Sequence, residues 1–74
     1  RNAVSHLGIA ESFELEKKYD LSAKYYFLAG SAAITRGQYA IALRSLAALE
    51  KLPKGSELVA GKIKSLRAIL SYNR

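Results

Sequence analysis

An all-α fold is expected for this 74-residue chain, and three observations carry it. Apolar residues recur at helical spacing in four separate stretches. Gly37 and the run Pro53-Lys54-Gly55 cut those stretches apart. No stretch of alternating β-branched residues competes with them. Helices joined by such short turns pack as antiparallel neighbours. The expected architecture is therefore two stacked helix-turn-helix hairpins forming a single module over residues 1–74.

The first helix is expected over residues 3–18, with Asn2 as its cap. Ile9 and Phe13 stand one turn apart on one face, Leu7 and Leu15 lie on another, and Glu11, Glu14 and Glu16 fall between. Two apolar stripes imply two neighbours. Tyr19-Asp20 marks a corner, with Asp20 placed to cap a second helix over 21–36. That helix is apolar almost all round, and only Lys24, Ser31 and Thr35 form a polar stripe, so it is expected at the centre. Gly30 inside it costs roughly 1 kcal/mol relative to alanine, which makes sense where another backbone comes close. Gly37 ends it, because glycine takes the left-handed conformation without a Cβ clash.

The third helix, over 38–52, places Tyr39, Ala42, Leu43, Leu46 and Leu49 on one side and Arg44 and Lys51 on the other. Pro53 cannot continue it. The fourth runs over 57–72, with Ser56 as its cap and Val59, Ile63, Leu66 and Leu70 as its inward stripe. Small residues Ala60, Gly61 and Ala68 occupy much of its outer side. Tyr19, Ser22, Tyr26 and Ala29 also repeat the spacing of Tyr39, Ala42, Leu46 and Leu49, an echo that marks successive helix starts.

Half the residues are apolar, too many for a disordered tail. Lys24, Arg36 and Arg44 break the longest apolar stretches, and nothing approaches a membrane span. The chain has no cysteine, so neither a disulfide nor a thiolate metal site supports its small core, and a reducing, intracellular setting is favoured. Arg1 rather than methionine opens the chain, which points to a fragment of a larger protein or a processed product. The net charge is +6 and uneven: residues 54–74 hold Lys54, Lys62, Lys64, Arg67 and Arg74 against Glu57 alone. A basic end of this kind attracts nucleic acid, anionic lipid or acidic peptide, or is simply a solvated helix face.

From Tyr26 onward the landmarks resemble a tetratricopeptide repeat. Tyr26, Ala29-Gly30, Ala33, Gly37-Gln38-Tyr39, Ala42, Leu46, Leu49 and Pro53 fill that family's places over residues 23–54. Ala29, Ala33 and Leu49 differ in size from the family's preference, and the proline comes one residue early. The resemblance implies a hairpin whose first helix lines a concave groove for a peptide or helix, or whose flanks stack on further repeats. On this chain the groove residues would be Lys24, Phe27, Ser31, Ile34 and Thr35. Phe27 and Ser31 stand where the chaperone-tail class carries its carboxylate clamp, so that specificity is not implied. The second helix also resembles that of the MIT domain, a three-helix bundle binding helical tails, although Gly37 and Pro53 cut that family's longer helices.

No catalytic constellation is expected. His6 is the only histidine, and a metal site or a histidine-centred pair needs further positioned partners. Glu14 with Lys17 or Lys18 has ordinary helix ion-pair spacing. The glycines form no phosphate-binding pattern. The sequence therefore points to a non-enzymatic protein-interaction module without cofactor or metal, capable of self-association. The alternative is a basic helical domain that binds RNA or single-stranded nucleic acid through a patch of Lys62, Lys64 and Arg67, with Tyr25 and Tyr72 as stacking rings.

Overall fold

Two turns of one construction set the first three helices. The computed structural model describes residues 3–53 and 57–72. It contains α1 (Ala3–Leu15), α2 (Tyr19–Thr35), α3 (Tyr39–Lys51) and α4 (Glu57–Tyr72), and no strand among the described residues. The caps expected at Asn2 and Ser56, together with Lys54, Gly55 and Arg74, lie outside the described residues.

After α1, the Lys18 amide donates to Phe13 O and the Lys17 amide to Glu14 O, both at 2.9 Å. After α2, the Gln38 amide donates to Ala33 O at 2.7 Å and the Gly37 amide to Ile34 O at 3.0 Å. Each pair is the hydrogen-bond pattern of a Schellman motif, which needs one left-handed residue. Gly37 supplies it in the second turn with φ 73°, but Lys17 must supply it in the first with φ 62°. Lys17 is the reason α1 stops at Leu15 rather than running on to residue 18. No glycine announced that stop. Tyr19 then opens α2, as Tyr39 opens α3, and the echo between them is structural. Asp20 is not the cap; it sits in the first turn of α2, where its charge complements the helix dipole.

Left-handed backbone strains a lysine and not a glycine. Replacing Lys17 with glycine should therefore stabilise the fold by about 1 kcal/mol, less the extra freedom glycine gains when unfolded. Gly37→Ala should cost a similar amount, since a Cβ there meets nothing within 4 Å and only the backbone objects. Thermal melting checks both. A Lys17→Gly variant that melts no higher than the parent contradicts this account.

Helix α2 touches each of the other three helices, as its all-round apolarity predicts. Ala23, Ala29, Gly30 and Ala33 are buried along it, and their size lets neighbours approach closely. Fully buried Ser22 donates its hydroxyl to Ala10 O at 2.8 Å, which ties α2 to α1 without an unpaired polar group. On α4, Val59, Ile63, Leu66 and Leu70 all turn inward as expected. On α3 the buried face is Ala42, Ser45 and Leu49, while Leu43 and Tyr39 are exposed. The core-facing stripe is thus rotated from the one read in the sequence, because Ser45 returns its hydroxyl to Ile41 O (3.0 Å) and can be buried like an alanine.

The helices gather about α2, with α4 returning onto α2 as well as onto α3. α1 contacts α2 and α3, α4 contacts α2 and α3, and α1 and α4 do not meet among the described residues. Phe27 faces Lys62, and one turn on Gly30 faces Leu66, so α2 and α4 run in the same direction. A Cβ at Gly30 would lie 2.7 and 2.8 Å from the two Leu66 methyl carbons. The glycine that weakens α2 is the floor on which α4 rests.

Candidate partner-binding surface

The less buried side of α2 carries most of the residues that the sequence nominated. Lys24 and Thr35 are exposed, and Phe27 and Ser31 are half-buried. Ser31 donates its hydroxyl to Phe27 O at 2.6 Å, and Thr35 donates to Ser31 O at 3.0 Å. Both hydroxyls are folded back on their own helix, so this face is less polar than its composition suggests. Ile34 does not belong to it. Its side chain is 7% exposed and lies in the core, so its nomination as a groove residue is corrected. It follows Ala33 on the buried side, and the polar stripe it was grouped with ends beside it.

Phe27 is the centre of the remaining four. The Lys62 ammonium of α4 stands 4.7 Å from its ring centroid, an attraction worth about 0.5–1 kcal/mol at an accessible site. Lys24 lies one turn earlier on α2. On the other flank of α2, Tyr25 stacks on Phe13 of α1 with centroids 5.6 Å apart, and His6 tilts against the same tyrosine at 6.1 Å. Four half-buried rings, Phe27, Tyr25, Phe13 and His6, thus lie on α2 and on the α1 side that borders it.

The basic patch expected on α4 does not form as one unit. Lys62 leans towards α2 over Phe27, whereas Lys64 and Arg67 line a depression with Ala60 and Ile63 on the opposite flank. Arg67 is also paired with Glu50 of α3, to which its Nε donates at 2.9 Å. Lys62 lies apart from Lys64 and Arg67 because α4 buries the stripe of Val59, Ile63, Leu66 and Leu70 that runs between them.

A second feature was missed by sequence reasoning. Glu11 and Glu14 of α1 face Arg44 and Lys51 of α3 across a cleft of about 300 Å³, with Tyr26 of α2 among its walls. The Tyr26 ring is 2% exposed, and its hydroxyl donates to Glu14 Oε1 at 2.7 Å. Burial, the hydrogen bond to Glu14, and the charges of Glu14 and Glu11 together push its ionisation well above the ordinary 10.0. Tyr26 thus stays neutral and serves as a strut between helices. The ion pair expected between Glu14 and Lys17 or Lys18 is replaced by this bond. The two lysines leave the helix at the turn, and Lys18 instead meets Glu16 at 3.2 Å. Only the three-dimensional meeting of α1 with α3 reveals the cleft, since its four charged residues lie on two separate helix faces.

No helix among the described residues is long and apolar enough to cross a membrane. No protein-family model, curated protein or solved structure matches this chain.

Proposed function

We propose that the chain is a non-enzymatic helical interaction module that takes an acidic, apolar peptide or helix along α2. The observation that carries this reading is Phe27, half-open on α2 with the Lys62 ammonium over its ring and Lys24 one turn away. A partly open aromatic supplies an anchor, and flanking cations select carboxylates and speed encounter. The parallel course of α2 and α4 supports the same reading. Under the tetratricopeptide resemblance these would be the first helices of successive repeats, which together line the groove.

The test is fluorescence anisotropy with an acidic amphipathic helical peptide and its counterpart with every glutamate changed to lysine. The acidic peptide should bind and the basic one should not. Phe27→Ala should weaken the acidic complex about tenfold while helicity by circular dichroism is retained. Equal binding by the parent and the Phe27→Ala variant would remove this surface from the function.

A further inference from the structure

The cleft between α1 and α3 has unlike walls. Glu11 and Glu14 stand on the α1 side, and Arg44 and Lys51 on the α3 side. Leu7, Ala47 and Ala48 add apolar lining, and the buried Tyr26 of α2 backs the cleft. The ion pairs among the described residues are Lys18 with Glu16 and Arg67 with Glu50. The four charges of the cleft belong to neither pair, so its walls face each other without closing.

The acidic wall is fixed by the fold. Glu14 Oε1 accepts the hydroxyl of Tyr26 at 2.7 Å, and Tyr26 is only 2% exposed. One carboxylate is thereby held in position with lone pairs to spare on its other oxygen. Glu11 lies one turn before it on the same helix, where two like charges repel. An ammonium group at this wall relieves that repulsion, and a carboxylate at the opposite wall meets the fork of the Arg44 guanidinium. A volume of about 300 Å³ lies at the lower end of the range for small-molecule sites. On the Lys51 side the cleft adjoins a wider trough bordered by Leu15, Tyr19 and Pro53, which gives a way in and an apolar surface for a ligand side chain.

We propose that the α1–α3 cleft binds a small zwitterion, a free amino acid or a dipeptide, with its ammonium on Glu11 and Glu14 and its carboxylate on Arg44 and Lys51. One sign of charge on each wall sets the orientation of the ligand. A simple anion meets the carboxylates of α1, and a simple cation meets the basic groups of α3. Each is therefore selected against where the zwitterion is not. The site uses none of Lys24, Phe27 and Lys62, so it stands or falls separately from the peptide-binding reading on α2.

Backbone amide chemical shifts of the isotope-labelled chain, titrated with L-leucine and separately with L-alanyl-L-alanine, test it. At least one of the two should give saturable shifts in α1 and α3 at millimolar concentration. The N-acetyl and the C-terminal amide forms of that ligand should each bind about tenfold more weakly, the loss expected when one charge-assisted contact is removed. Glu11→Gln and Arg44→Gln should each weaken binding by a similar factor without lowering the thermal melt, because both residues are exposed and neither is in an ion pair. Phe27→Ala should leave binding unchanged. No saturable shift with either probe overturns the inference. Equal binding of the N-acetyl form also overturns it, by marking an anion site on the basic wall alone, and equal binding of the amide form does so by marking a cation site on the acidic wall. Binding that survives both Glu11→Gln and Arg44→Gln, or that is lost in Phe27→Ala, places the ligand elsewhere and overturns it too.

Discussion

A Gly30→Val variant should lose about 3 kcal/mol of stability, near the upper end of the cost of overpacking a core. The reason is geometric. The space that the first side-chain atom would enter is already held by both methyl carbons of Leu66 at 2.7 and 2.8 Å, and Leu66 is fully buried, so it must repack among its neighbours to make room. For a domain of this size the total is about 4–11 kcal/mol, so the variant should melt about 15 °C lower. The variant also offers an internal control. Leu66→Ala alone should cost about 3 kcal/mol through the cavity it leaves. The double variant should be more stable than the sum of the two losses by at least about 1 kcal/mol, because the valine fills part of the space that the leucine vacates. Chemical denaturation of the four proteins measures the coupling. Strict additivity would mean that α2 and α4 do not meet at this point.

Tyr26→Phe should cost about 2 kcal/mol, the scale of a hydrogen bond to a charged group, and it should also change how the protein responds to alkali. The sign follows from the direction of the shift. The fold favours the neutral phenol, so its contribution is complete below about pH 10, where the unfolded tyrosine begins to ionise. Above that pH the contribution declines towards the higher folded value, at up to about 1.4 kcal/mol per pH unit for one proton. The parent should therefore lose stability between pH 10 and pH 11 more steeply than the Phe variant does. Urea midpoints at pH 9 and pH 11 for both proteins give the comparison. Parallel losses would show that Glu14 does not hold the phenol in its neutral form.

These two sites show how unevenly the molecule was written into its sequence. Gly30 was legible as a place of close approach, because glycine in the interior of a helix makes sense only where a neighbour needs the space. The neighbour, Leu66, was not, since it lies far along the chain and nothing local names it. Tyr26 was legible as a buried landmark, but its bond to Glu14 was not. Glu14 looked like half of a helix ion pair until Lys17 turned the chain and carried both lysines out of the helix. The candidate surface divides in the same way. Lys24, Phe27, Ser31 and Thr35 were nominated by the tetratricopeptide resemblance and are at least half-open, while Ile34, nominated with them, is buried.

By itself the sequence determined that this chain is helical throughout, where its second, third and fourth helices run, and that α2 lies at the centre. Periodicity, Gly37 and Pro53 are local signals, and local backbone preference reads them directly. The tertiary structure alone decided that α4 returns onto α2 as well as α3 while α1 and α4 stay apart among the described residues. It alone decided that α3 turns Leu43 outward, and that the cations of α4 part to either side of a buried stripe. Those outcomes depend on which faces meet across distant stretches of chain, and that is settled by the joint packing of all the helices at once.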